Sequence, residues 1–235
     1  MEKIKIGIVI ADNDEYLPLE KLMPALGGKP TVIAGRNGHI FTVNAENGQA
    51  EVTAVCSGIG KVNAAVAATA LAEKGVDLIL NCGLSGGISG IARHELMIAE
   101  TFTEHDFDLT GLGYKPCQKP GQEYIYRSSE DINAVFKAIM PEAKIGMAVS
   151  GDCFVSDSGK RDFLKNEFGA MACDMETAAV AYVCSAYNIK FGCVRKISDD
   201  AGASAADSYR EVNVLAEDAL IKVLLQAVSR IAESL

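Results

Sequence analysis

The spacing of apolar residues changes period several times along the chain. From Lys3 to Ile10 they alternate and then fuse into Ile6-Gly7-Ile8-Val9-Ile10, the pattern of a core strand covered on both faces. Three shorter alternations, Thr31–Ala34, His39–Val43 and Glu51–Cys56, predict a meander after that strand. Asn37-Gly38 and Asn47-Gly48 suit tight hairpin turns, because both residue types tolerate positive φ. Val62–Lys74 is alanine-rich with Gly75 behind it, which predicts a helix with a glycine stop. Asp77–Cys82 predicts a buried strand, and further strands are expected near Leu96–Thr103, Lys144–Val149 and Phe191–Ile197. Helices are expected over Ser129–Ile139, Gly159–Phe168, Met175–Tyr187 and Ser208–Leu235. Strands alternating with helices require a mixed or parallel sheet covered on both faces, an α/β chain. Two irregular stretches, His105–Gln122 and Asp200–Asp207, are too long for plain connectors and read as lids or binding loops.

Composition narrows the class. A length of 235 residues fits one domain of the larger α/β kind, residues 1–235. No apolar run approaches the roughly 18 residues that cross a bilayer, so no membrane partner is expected. Met1-Glu2-Lys3-Ile4 leads straight into a strand without an export segment, which makes a cytoplasmic location the expectation. Seven cysteines, with no Cys-x-x-Cys and no neighbouring histidine, read as reduced, mostly buried thiols. Lys plus Arg total 22 against 31 Asp plus Glu, a net charge of -9 that argues against a nucleic-acid partner.

Five segments have the makings of a site. Ser57-Gly58-Ile59-Gly60-Lys61 lies between a strand and a helix, where free N–H groups and the helix dipole hold anions. It lacks the Walker spacing and the third glycine of a dinucleotide fingerprint, and a plain tight turn explains it equally well. Gly83-Leu84-Ser85-Gly86-Gly87 follows a buried strand, at the end where open α/β sheets bind ligands, although a structural turn is an alternative. Ser150-Gly151-Asp152-Cys153-Phe154-Val155 is followed by Asp174-Met175-Glu176, where two acids either favour a helix dipole or face a pocket. Arg195-Lys196-Ile197-Ser198-Asp199-Asp200 crowds polar groups at the end of a core strand and favours the pocket.

Taken in order, SGIGKVNAA, GLSGG, HDFDLTGLGY, SGDCFV, DMETAAVAYVC and RKISDDA span nearly the whole chain. Together they resemble the 5'-methylthioadenosine/S-adenosylhomocysteine nucleosidases of the nucleoside phosphorylase superfamily. The resemblance implies a three-layer α/β/α fold around a central mixed, partly barrel-like sheet, with no metal and no organic cofactor. It implies a homodimer with shared active sites that hydrolyses the N-ribosidic bond of 5'-modified adenosines and releases adenine. Methylthio, S-homocysteinyl and 5'-deoxy groups are the implied 5' substituents. Residue by residue, it makes Asp199 the acid that protonates adenine N7, with Ser198 orienting it, and Glu15, in an amino-terminal loop, the base that activates water. Arg195 would lie near that water, Glu176 would hold the ribose hydroxyls and Met175 would pack on the sugar. Phe154 and Val155 match the purine-binding pair, and Tyr209 and Leu109 further pocket-lining positions. Ile59, Leu112, Tyr114 and Pro120 would close over the 5' substituent from the partner subunit.

Two positions depart from the family. Leu84 stands where many members have serine or threonine in the glycine-rich turn, with Ser85 one place later. Asp12 replaces an apolar residue near the expected 5' group, and an acid there disfavours a purely hydrophobic tail and welcomes an amine or hydroxyl. A phosphorylase is the nearest alternative, but it needs arginines for the phosphate dianion. The resemblance places one of these where this chain has Asn81. A non-catalytic nucleoside-binding protein of the same fold is a second alternative, and a dinucleotide oxidoreductase a remote third.

Overall fold

A computed structural model describes residues 2–212 and 217–234. Strand β1 (Glu2–Ile10) is followed by helix α1 (Asn13–Leu26), then by the antiparallel meander β2 (Lys29–Ile33), β3 (Arg36–Asn44) and β4 (Gly48–Cys56). Helix α2 (Lys61–Glu73) leads to β5 (Leu78–Gly87) and β6 (Leu96–Glu104). After the long 105–122 stretch, which holds one 3-10 turn, come the short β7 (Tyr126–Arg127), α3 (Glu130–Ile139) and β8 (Lys144–Ser150). The remainder is α4 (Ser158–Phe168), β9 (Ala172–Asp174), α5 (Thr177–Tyr187), β10 (Lys190–Asp199), α6 (Ala205–Val212) and α7 (Glu217–Glu233). Residues 213–216 and 235 of the expected closing helix, Ser208–Leu235, lie outside the described residues.

The sheet is mixed, and part of it closes on itself. β5 pairs with β9, β9 with β8, β8 with β6, β6 with β10, and β10 again with β5, a five-stranded barrel. β1 pairs with β5 and carries β4, β3 and β2 outward as an open extension. Alternation along β1 serves two cores at once. Ile6, Ile8 and Ile10 pack with Tyr16, Leu19 and Met23 of α1 and with Leu220, Leu224 and Val228 of α7, whereas Val9 faces the other way. There it meets Ala64, Ala67, Ala68 and Leu71 of α2 and Ala178, Val180 and Ala181 of α5. The small alanine faces of these two helices let them approach each other closely over the sheet. The result is the three-layer α/β/α arrangement.

Four sequence expectations are corrected. The meander does not directly follow β1, because α1 intervenes; Pro18 and Pro24 disguise it, while Asp12 caps its start and Gly27, at φ +62°, ends it. Asn37-Gly38 is not a turn but part of β3, where a Cβ at Gly38 would collide with the Ala54 carbonyl. The hairpin instead turns at Ala34 and Gly35, both at positive φ. The glycine-rich GLSGG is strand rather than turn, since β10 pairs with β5 as far as Gly86. Finally, Glu176 is the N-cap of α5, not a residue within the helix.

Candidate active site

The ends of β5 and β10 and the first turns of α1 and α5 surround a cavity of 390 Å3. Among the sequence-predicted residues, Glu15, Ile59, Leu84, Ser85, Phe154, Met175, Glu176, Ser198, Asp199 and Tyr209 all line it. Val155 lies in a small adjoining recess shared with Phe154 and Asp199. Arg195 sits beneath the cavity, 1% exposed. Ile59, expected from the partner side, lines the cavity of its own chain. Leu109, expected to line the pocket, lies outside it in the 105–122 stretch with Leu112, Tyr114 and Pro120, which are exposed.

Asp199 is the last residue of β10 and is buried. Its Oδ1 accepts the Ala201 N–H at 2.8 Å, a tight turn that puts Ala201 at φ +50°. Its Oδ2 lies 2.7 Å from Ser198 Oγ, which is also 3.2 Å from the Ser85 carbonyl. One hydroxyl carries one proton, so Ser198 donates to the carboxylate when Asp199 is ionised. When Asp199 is protonated, Ser198 can turn to Ser85 and accept instead. Burial raises the Asp199 pKa from its ordinary value, and Asp200 adds to this. The bonds from Ser198 and Ala201 oppose the rise without cancelling it.

Glu15 occupies the first turn of α1. Its Oε1 accepts the Leu84 N–H at 2.8 Å, and a Cβ at Gly83 would come within 2.9 Å of Oε2 and collide with the Arg195 guanidinium. Gly83 therefore lets both side chains lie against the β5 backbone. Burial raises the Glu15 pKa to about 8 against the pull of Arg195 and the Leu84 N–H, with Glu176 and Asp12 adding to the rise.

The Arg195 guanidinium is held by Asp174, whose Oδ2 accepts from Nε at 3.1 Å and Nη2 at 2.7 Å. Asp174 Oδ1 accepts from Ser150 Oγ at 2.5 Å and from the N–H groups of Glu176 and Thr177 at 3.0 Å each. Burial opposes ionisation of Asp174, but Arg195, Ser150 and Thr177 outweigh it and hold the pKa low. Glu176 Oε1 accepts the Gly60 N–H at 2.8 Å, and its Oε2 lies 3.8 Å from Arg195 Nη2. Burial, and then the negative charge of Asp174, raises the Glu176 pKa. The donors of the strand-to-helix turn are thus used internally, since the next N–H, of Lys61, is bound to Asp152. The apolar side of the cavity is Leu84 packed on Tyr209, which meets Phe154 edge-to-face with ring centres 5.8 Å apart.

Sequence reasoning did not assign Asp174 and Thr177, the groups that bind Arg195, or Ser150, which holds Asp174. The signal lies in the register Ser150↔Asp174, which the chain does not reveal before β8 and β9 are paired. Asn81 is a buried tie, donating to the Val9 carbonyl at 2.8 Å and accepting from Thr177 Oγ1 at 3.2 Å.

A half-closed mixed barrel with an acid at the end of one strand, facing glutamates at helix starts, defines a class. The family model described as the phosphorylase superfamily matches residues 5–229. A 5'-methylthioadenosine/S-adenosylhomocysteine nucleosidase of Oceanobacillus iheyensis is 31% identical, over 96% of this chain and 99% of its own. The chain belongs to the 5'-methylthioadenosine/S-adenosylhomocysteine nucleosidase family of that superfamily. A Helicobacter pylori nucleosidase variant, crystallised with 5'-methylthioadenosine in its active site, superposes with a TM-score of 0.89 at 28% identity. The match covers 97% of this chain and 99% of that one. Futalosine hydrolase of the same organism gives 0.90 at 28% identity, covering 97% and 98%.

Proposed function

We propose that the protein hydrolyses the N-ribosidic bond of 5'-modified adenosines, namely 5'-methylthioadenosine, S-adenosylhomocysteine and 5'-deoxyadenosine, and releases adenine. The observation that carries this reading is one cavity with a buried acid of raised pKa, Asp199, and a separate buried carboxyl, Glu15, held on a backbone N–H. Phe154 and Val155 take the base, Met175 packs on the sugar and Glu176 accepts from the ribose hydroxyls. As the C1'–N9 bond breaks, its electron pair goes to the base, and Asp199 gives its proton to N7. Water oxygen bonds to C1' while Glu15 takes one of its protons. Positive charge developing on the ribose strengthens the Glu176 contact, which is where differential stabilisation arises. The resting state returns when Glu15 loses a proton to solvent and Asp199 regains one.

Water rather than phosphate is the nucleophile that this cavity suits. Arg195 is bound by Asp174, and Arg210 at the cavity wall has a side chain 76% exposed. A phosphate dianion would meet two glutamates instead. The proposal includes a dimer in which Leu112, Tyr114 and Pro120 of one copy cover the 5' group of the other. The exposure of Leu112 and of Val62 on α2, both 73%, supports an apolar contact there. A cytoplasmic location is supported by the seven free cysteines, and no helix among the described residues is long and apolar enough to cross a membrane. The test is adenine release with and without phosphate. Equal rates and free 5-substituted ribose are expected. Adenine formed only with phosphate, together with a ribose 1-phosphate, would overturn the hydrolase reading.

A further inference from the structure

The cavity that holds Asp199 and Glu15 shares Ala11, Asp12 and Ile59 with a second cavity of 580 Å3. The family resemblance puts Asp12 near the 5' substituent, with Ile59 of the same chain beside it in both cavities, so the second space continues from the place where that substituent leaves the ribose. Its walls are polar, with Arg36 and Asn37 from the start of β3 and Asn63 from α2.

Two opposite charges face this annex without partners of opposite sign. Arg36 donates Nε to the Ser57 carbonyl at 2.5 Å, Nη1 to the Ala34 carbonyl at 3.0 Å and Nη2 to Asn63 Oδ1 at 2.6 Å. All three acceptors are neutral, and two of its five N–H groups are left over. Among the described residues, no carboxylate lies within 4.0 Å of the Arg36 guanidinium and no cation within 4.0 Å of Asp12. In a chain with 31 acids and 22 bases, an arginine fixed in place without an acid is poised for an external anion. Asp12 uses Oδ1 to cap α1 through the Asp14 N–H at 2.7 Å, which fixes the carboxylate while leaving its charge uncompensated.

We propose that this annex binds a 5'-thioether tail that ends in an α-amino acid, with Arg36 on its carboxylate and Asp12 on its ammonium. The proposal rests on the hydrolase reading and names the substrate that this chain favours, the S-homocysteinyl nucleoside over the methylthio one. A neutral methylthio group pairs with neither charge, whereas a zwitterionic tail answers both.

The test compares kcat/KM for S-adenosylhomocysteine, 5'-methylthioadenosine and the ammonium-free 5'-(3-carboxypropylthio) analogue in purified wild-type, R36M, R36K and D12N proteins. The ratio of S-adenosylhomocysteine to 5'-methylthioadenosine is the readout. Damage to the shared catalytic groups through the Ser57 and Asn63 contacts affects both substrates and cancels. R36M is expected to lower the ratio about tenfold, the loss of one charge-assisted contact, and R36K by less. D12N keeps the cap acceptor, and is expected to lower the same ratio while improving use of the ammonium-free analogue. Adenine released from both nucleosides with ratios unchanged within about twofold in R36M and D12N overturns the annex alone. Failure of the wild type to release adenine from either nucleoside overturns the hydrolase reading, and the annex with it.

Discussion

Replacing Glu15 by glutamine separates its electrostatics from its packing. The side chain keeps its shape, and its amide oxygen still accepts the Leu84 N–H, but it no longer ionises. In the wild type, folding moves the Glu15 pKa from 4.5 to about 8, so the folded state holds this proton more tightly than the unfolded chain does. The associated stability is fully present below about pH 4.5, drains away as pH rises, and is gone above about pH 8. At about 1.4 kcal/mol per pH unit, the rise from 4.5 to about 8 corresponds to a loss of about 5 kcal/mol across that interval. E15Q does not incur it. Any penalty from turning an amide N–H toward Arg195 is the same at every pH and offsets the curve without tilting it. Urea unfolding of both proteins at a series of pH values from about 5 to 9 should show E15Q gaining on the wild type by several kcal/mol, with adenine release falling about a hundredfold or more. The effects of Asp174 and Glu176 remain largely common to both proteins and cancel in the difference. Parallel pH–stability curves for the two proteins would refute the claim that burial makes Glu15 costly to ionise.

D199N keeps an acceptor for the Ala201 N–H but has no proton to give to N7. Turnover should fall by a factor of about 10² to 10⁴ while substrate still binds by calorimetry, and a loss of less than about tenfold would remove Asp199 from the acid role. G83A places a methyl group against Arg195 and Glu15; a cost of about 1–3 kcal/mol in denaturant unfolding is expected together with lost turnover, and wild-type values for both would contradict the packing argument. The pH dependence of kcat/KM should carry an ionisation near pH 8 from Glu15, absent from the residual activity of E15Q. A steady-state profile that is flat from about pH 6 to 9 would contradict the Glu15 assignment.

The three layers were legible because period tracks burial directly: β1, β4 and β5 are covered on two faces, and α2 carries its small-residue stripe in plain sequence. Helix α1 was not, because Pro18 and Pro24 outweigh the Tyr16, Leu19 and Met23 stripe when only local propensity is weighed. Tertiary packing of that stripe against β3 and α7 reverses the balance. At the site, the places of Asp199 and Glu176 on the cavity wall were legible through short family motifs, and that of Glu15 through the acidic amino-terminal run that ends on it. The Asp174–Arg195 pair was not, because it depends on β9 and β10 both pairing with β5, a property of register rather than of any one segment. Closure likewise explains why GLSGG is strand: Gly86 pairs with both β9 and β10, and a side chain there would press on Asp199 and Cys173.

Asp174 gathers hydrogen bonds from Ser150 at the end of β8, from Arg195 on β10, and from the backbone that opens α5. Ser150 and Arg195 lie 24 and 21 residues away along the chain and reach Asp174 through the pairing of β9 with β8 and, by way of β5, with β10, so the anchor of the site is set by strand register. A nucleoside that binds only this assembled site draws the equilibrium toward the folded chain.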